Sequence, residues 1–202
     1  MPSSEAASRP TLALCAGALA ALLALAASPC GVVQAATAQA TAGRDGQRDF
    51  DFETGLWRTQ VRRLAASPGA APRWREYTGT TRVVAVHGGR ANLAELAVAG
   101  PAGRIDGVAL RLYEPATRLW RIHYANLRDG ALTAPLAGRF VDGRGEFFGD
   151  DRLDGRPVRV RFRIHCPHAD RCLFEQAVST DGGRRWQVNW LATDTRLGHG
   201  AG

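Results

Sequence analysis

Residues 157–166, PVRVRFRIHC, alternate throughout: Val158, Val160, Phe162, Ile164 and Cys166 fall on one side, Arg159, Arg161, Arg163 and His165 on the other. A period of two is the period of a strand, and this one requires one face in a core and one in water. The rest of residues 50–196 follows the same constraint. Gly88–Gly89, Asp129–Gly130, Asp142–Gly143, Asp154–Gly155 and Asp181–Gly182–Gly183 separate short runs of apolar, β-branched and aromatic residues. Asp-Gly between alternating runs is a strong hairpin signal. No run of ten or more residues in this region places apolar side chains at i, i+3, i+4 and i+7, the helical spacing. The pattern predicts about ten strands, at 55–64, 74–86, 91–99, 105–113, 119–127, 136–141, 146–151, 157–166, 171–179 and 185–195. Strands joined by tight turns form an antiparallel meander, and a meander this long removes its exposed edges by closing. The expected fold class is all-β, an up-and-down barrel.

The start of the chain reads differently. Thr11 to Ser28 form an Ala/Leu run, TLALCAGALAALLALAAS, preceded by a polar segment with Arg9 and followed by Pro29 and Gly31. Val33 and Ala35 supply small residues ahead of a cut after Ala35. This is the layout of a secretory signal peptide. As a membrane anchor the run is short, Ala-rich and interrupted by Pro29. The expected organisation is a signal peptide over 1–35, a disordered polar linker over 36–49, the barrel over 50–196 and a disordered tail over 197–202. The expected location is periplasmic or secreted, with no stable membrane insertion after cleavage.

The net charge is +7, and every basic residue is Arg. These arginines are spread along the chain among acids, whereas a nucleic-acid footprint would cluster them. With an export signal as well, no nucleic-acid partner is expected. The Arg159–Arg161–Arg163 stripe reads as a solvated strand face.

After cleavage, Cys166 and Cys172 are the cysteines that remain. They share parity with the inward residues Ile164 and Phe174. If Pro167–Arg171 joins two paired strands, the two thiols face each other within disulfide reach. An oxidising compartment makes the disulfide the expected state. The closed loop is short, so the gain is roughly 2–2.5 kcal/mol. The same register sets Arg163 opposite Glu175. His165, Cys166, His168, Asp170 and Cys172 are ligand types that suit zinc, but their spacing is not a pair of knuckles and no metal is expected. Ser179 to Trp186, STDGGRRW, resembles the Asp-box hairpin of sialidase-type propellers, with Arg185 where that motif has Thr. A propeller repeats the motif, and here it occurs once, as a way to build a tight turn.

No G-x-S-x-G, H-E-x-x-H, P-loop or Rossmann fingerprint is present, so neither a catalytic residue nor a cofactor is assigned. Of five histidines only His123 lies mid-strand, and it shares the outward parity of Arg121. Glu95 and Glu175 sit among apolar neighbours; each either faces out or enters a cavity to pair with Arg111. In ALRLYEP, Ala109, Arg111 and Tyr113 alternate with Val108, Leu110 and Leu112. Arg111 faces out if the aliphatic side is the core, and in if the barrel is hollow.

Gly55–Leu56–Trp57 opens the first strand, a meander follows, and NWLATDTR brings an Arg to the end of the last. Together these resemble the lipocalin-like, or calycin, β-barrel superfamily. The resemblance implies that Trp57 plugs the closed end and that Arg196 packs across its ring. It also implies an apolar cavity with a few placed polar groups, taking a small hydrophobic or amphipathic ligand. Trp57, Trp120, Tyr124, Phe162, Phe174 and Trp190 are then wall or plug, and Arg111, Asn126, Glu175 and Asn189 are the polar contacts. Ten strands is similar to the fatty-acid-binding and nitrobindin-like branches, although the short loop AASPGAAP leaves no room for the two helices that fatty-acid binders insert. RANLAEL, GVALRLYEP and FEQAVSTDGGRRWQVNWLATDTR resemble secreted bacterial proteins grouped under a domain of unknown function. Two alternatives stand beside a binding barrel. One is an isomerase, cyclase or hydrolase on a lipid-like substrate, which needs a carboxylate or His of perturbed pKa in the lumen. The other is an interaction module with a solid core.

Overall fold

The structure, a computed structural model, describes residues 45–67, 70–153 and 155–198. The expected signal segment lies outside the described residues. Ten strands follow in chain order: β1 Gly55–Ser67, β2 Ala70–Val86, β3 Ala91–Gly100, β4 Gly103–Glu114, β5 Leu119–Asn126, β6 Leu136–Val141, β7 Arg144–Leu153, β8 Arg156–His168, β9 Arg171–Ser179 and β10 Gln187–Gly198. Each pairs antiparallel with the next, and β1 pairs with β10 to close the barrel. The all-β meander predicted from alternation is the observed fold. The last strand starts at Gln187, two residues later than expected. The reason is local: the backbone N–H groups of Arg184 and Arg185 donate to the Asp181 carboxylate at 3.0 and 2.9 Å instead of to a ladder.

Alternation decides which side chains enter. On β8, Val158, Val160 and Ile164 are buried while Arg159 and Arg163 are exposed. On β1, Trp57, Thr59 and Val61 are buried while Leu56, Arg58 and Gln60 are exposed. On β4 the inward set is Ala109, Arg111 and Tyr113; Arg111 is 4% exposed and Leu112 40%. Of the two orientations open for Arg111, the inward one is realised, so the aliphatic side of this strand faces solvent.

One end of the barrel is shut by aromatic packing and by the segment that precedes β1. Residues 45–50 turn across that end, and Asp51–Glu53 form a single 3₁₀ turn. Phe50 is the hub. Its ring meets Trp120 and Phe140 edge-on, each at 4.9 Å, and stacks on Phe147 at 5.7 Å. Burying a ring this fully contributes about 2–3 kcal/mol. The Trp120 indole N–H donates to the Gly46 carbonyl at 2.9 Å, and the Tyr113 hydroxyl donates to that of Asp45. The chain thus makes barrel contacts from Asp45 onward, upstream of the expected start at Phe50.

Cys166 and Cys172 form a disulfide across the β8–β9 hairpin, with Cα atoms 4.0 Å apart, and Arg163 stands opposite Glu175. Both sulfurs are consumed in that bond. Among the described residues no group of three or more His, Cys, Asp or Glu could hold a metal ion. In the Ser179–Trp186 hairpin, the Ser179 hydroxyl donates to Asp181 at 2.8 Å and accepts from the Gly183 N–H at 2.8 Å. Gly182 and Gly183 take positive φ of 74° and 95°, the left-handed region where a Cβ is strained. The hydrogen bonds from Arg185 and Ser179 hold the Asp181 carboxyl below its ordinary range. This is turn architecture on the outside of the barrel.

A hollow barrel with a polar inner end

Trp57, 0% exposed, stands beneath the cap, and its indole N–H donates to the Glu53 carbonyl at 2.6 Å. The Arg196 guanidinium lies 4.0 Å from the centre of the Trp57 ring, a cation–π contact. Its terminal nitrogens donate to the carbonyls of Thr54 at 2.8 Å and Phe52 at 2.6 Å, and its Nε donates to that of Ala169 at 3.2 Å. One side chain from β10 therefore ties together the 3₁₀ cap, the first strand and the disulfide hairpin.

Above this plug the barrel is hollow, with a cavity of about 540 Å³. Val61, Leu96, Ile105, Ile122, Val160, Phe162 and Phe174 supply apolar wall. The lining also carries Arg63, Asn126, Asp129, Asp151, Arg152, Gln176, Asn189 and Trp190. Gln176 donates to Asn189 at 3.3 Å across β9 and β10. The phenol end of Tyr124 packs against Gly107, where a Cβ would sit 2.3 Å from the phenol oxygen; a glycine is what leaves room for the ring. Burial raises the Tyr124 phenol above its usual pKa.

The inner end is polar and buried. Arg111 donates from Nη2 to Glu53 Oε1 at 3.1 Å and from Nη1 to Glu53 Oε2, a two-pronged pair in which both side chains are 5% exposed or less. Arg111 Nη1 also meets Asn92 Oδ1 at 3.3 Å, its cross-strand neighbour on β3, and the guanidinium lies 4.6 Å over the Phe50 ring. Thr59 and Thr81 share a 2.6 Å hydrogen bond. Asp194 completes the group opposite Thr59 and is 2% exposed. Burial pushes its carboxyl up from 3.8 to about 7; the neighbouring Glu53 adds to the rise, while a hydrogen bond from Thr59 and the Arg111 charge oppose it. Three buried side-chain polar atoms lack a partner among the described residues: Arg111 Nε, Arg161 Nε and Asp194 Oδ1. Two of the three belong to this cluster.

The candidate residues from the sequence divide by place. Arg111, Tyr124, Asn126, Asn189 and Trp190 line the cavity. Trp57 and Trp120 lie in and around the plug, below the cavity. Glu175 is on the outer face, 3.1 Å from Arg161 and 3.9 Å from Arg163. Glu95 is also outside, 3.8 Å from Arg82, so neither carboxylate considered as a partner for Arg111 is that partner. His123 lies on β5 between the inward Ile122 and Tyr124, on the outward parity. Glu53 and Asp194 escaped sequence reasoning. Glu53 precedes the first strand, where alternation says nothing, and reaches its partner across 58 positions. Asp194 had a usable signal: in NWLATDTR it shares parity with Arg196, the inward end of that strand.

No family model matches this chain, and no curated protein matches it. Among solved structures, the fold is similar to an S-type phycobiliprotein lyase from Guillardia theta, with a TM-score of 0.54 and 14% identity over 75% of this chain and 92% of that one. At that identity the likeness shows the fold alone, a closed antiparallel β-barrel.

Proposed function

We propose that this protein is an exported binding barrel that holds a small amphipathic molecule in its interior. The observation that carries the reading is the 540 Å³ cavity, lined by apolar side chains together with placed polar groups. Cavities of roughly 300–1,000 Å³ with that division of surface are the usual form of small-molecule sites. The hollow interior leaves a solid-core interaction module without support. The arginine stripe weakens that reading further: Arg163 pairs with Glu146 at 2.6 Å, and Arg161 pairs with Glu175 and covers the Trp186 ring. Export through the segment 1–35 and a periplasmic or secreted location belong to the same proposal, because a disulfide at Cys166–Cys172 persists in an oxidising compartment. The quoted resemblance to secreted proteins of unassigned role is consistent with it. Among the described residues no helix is long and apolar enough to cross a membrane.

The test is native mass spectrometry on protein purified from a periplasm, before and after unfolding. A small molecule retained when folded and released on unfolding supports the reading. A bare mass under gentle conditions, with no uptake of added amphipaths, removes it.

Asp194 favours a second reading, proton transfer on the bound molecule. A carboxyl that titrates near 7 can take and give a proton at neutral pH. If this holds, the recovered ligand exchanges a carbon-bound hydrogen in heavy water with the protein and not with Asp194→Asn.

A further inference from the structure

We propose that the far end of the β1–β2 hairpin is a docking arm for an anionic lipid surface. Docking of this kind does not depend on what fills the cavity.

The register of the neighbouring strands makes the arm. β1 pairs with β10 only as far as Arg63, opposite Trp190, and β2 pairs with β3 only from Thr78 onward. Beyond those limits β1 and β2 have no other strand partner. They continue to pair with each other, Arg63 opposite Arg75, Leu64 opposite Trp74 and Ala65 opposite Arg73. The two strands therefore run past the barrel wall as a ribbon, at the end away from the plug at Trp57. A two-stranded ribbon is marginal by itself, because it has no core. Its base belongs to the cavity: Arg63 and Trp190 both line it.

Parity gives the ribbon two unlike faces. Val61 and Tyr77, opposite each other, are both buried; the same face then carries Arg63, Arg75 and Arg73, all exposed. Arg63 and Arg75 stand directly across from each other, an arrangement in which like charges repel. Among the described residues none of these three is in an ion pair, whereas arginines on the barrel wall are paired: Arg82 with Glu95, Arg121 with Glu114 and Arg163 with Glu146. The other face carries Leu64 and Trp74, both half-buried. There the Arg62 guanidinium lies 5.2 Å from the centre of the Trp74 ring, and Glu76, the one acid on the arm, is 3.9 Å from Arg62. In sequence no charged residue stands between Arg63 and Arg73.

Charge complementarity selects the partner. Unpaired arginines beside a tryptophan suit an anionic bilayer surface, where guanidinium groups meet phosphate and the indole sits at head-group depth. A second copy of the arm would set like charges against each other. A neutral surface would leave the Arg63–Arg75 repulsion in place. The contact is peripheral: the arm lies on the surface and spans nothing.

The experiment is co-sedimentation of the purified protein with vesicles of phosphatidylglycerol or of phosphatidylcholine. The expected result is binding to phosphatidylglycerol, weakened by screening at roughly 0.5 M salt, and none to phosphatidylcholine. Each Arg close to an anionic surface strengthens binding about fivefold, so Arg63→Gln, Arg73→Gln and Arg75→Gln together weaken it about a hundredfold. Removing equal charge from the wall, with Arg82→Gln, Arg121→Gln and Arg163→Gln, leaves binding within about fivefold of wild type. Phosphatidylglycerol vesicles also shift tryptophan emission to the blue, and Trp74→Phe abolishes that shift. Equal binding to the two lipids, equal losses in the two triple variants, or a blue shift that survives Trp74→Phe overturns the assignment. A single-stranded oligonucleotide is the rival anion. If the wild type binds it more tightly than phosphatidylglycerol at equal phosphate, and the arm variant loses it, the arm reads nucleic acid and the lipid assignment fails.

Discussion

Replacing Asp194 by Asn isolates the energetic consequence of a carboxylic acid buried at the base of a barrel. In the folded chain the Asp194 carboxyl titrates near 7; its ordinary value is 3.8. Between those values the folded protein holds a proton that the unfolded chain has released. Its contribution to stability is therefore complete below about pH 4 and is lost as pH rises through 7. One pH unit over that window is worth about 1.4 kcal/mol, so the whole interval amounts to roughly 4 kcal/mol. Over the accessible range from pH 5 to pH 8 the loss is roughly 2.5 kcal/mol. Asparagine has nearly the same shape and does not titrate, so Asp194→Asn keeps a constant offset and loses this slope. The assay is urea denaturation of both proteins at pH 5, 6, 7 and 8, taking the difference at each pH so that the other titrating groups cancel. The expected result is a difference that moves in favour of the variant by about 2–3 kcal/mol from pH 5 to pH 8. Parallel stability curves would refute the reasoning, because they would mean that Asp194 is solvated or paired in the folded state.

Three further outcomes follow from the same structure. Glu53→Gln or Arg111→Met leaves one buried charge without its partner and costs about 3–5 kcal/mol, while Glu53→Leu with Arg111→Met together lies closer to wild type than either single change; urea midpoints separate the two results. Arg196→Met removes the Trp57 contact and the bonds to Phe52 and Thr54, at a cost of about 2–4 kcal/mol. In hydrogen exchange the amides of Glu53 and Thr54, which bond within the cap, then exchange faster before the strands do. Cys166→Ser with Cys172→Ser opens a loop with a sequence separation of 6, and lowers unfolding free energy by roughly 2 kcal/mol without changing the barrel's circular dichroism.

The plug shows how a distant pair becomes one element of the site. Trp57 and Arg196 are cross-strand partners because β10 closes on β1, and the guanidinium over the indole also secures the carbonyls of the cap. The cap in turn delivers Glu53 to Arg111. A single closure contact thus supports both the shut end of the barrel and the polar floor of its cavity.

What the sequence determined by itself is local and periodic. Alternation along 157–166 placed Val158, Val160 and Ile164 inside, and the Asp-Gly and Gly-Gly pairs marked hairpins, because strand parity and turn chemistry act over a few neighbouring residues. The parity of Cys166 and Cys172 about a short loop likewise brought the two thiols together. Only the tertiary structure decided the rest. Whether Arg111 faced water or the lumen depended on the barrel being hollow, since in a cavity with a polar floor an inward arginine is satisfied by Glu53 and Asn92 and the aliphatic residues of its strand turn outward. Glu53 itself sits in a 3₁₀ turn with no periodicity to read, and its role exists only because closure folds that turn across the barrel's end. Asp194 is an ordinary aspartate in sequence. Its elevated pKa comes from loss of water and from a second carboxylate contributed by a segment more than a hundred positions away, and electrostatics over such distances are set by the fold.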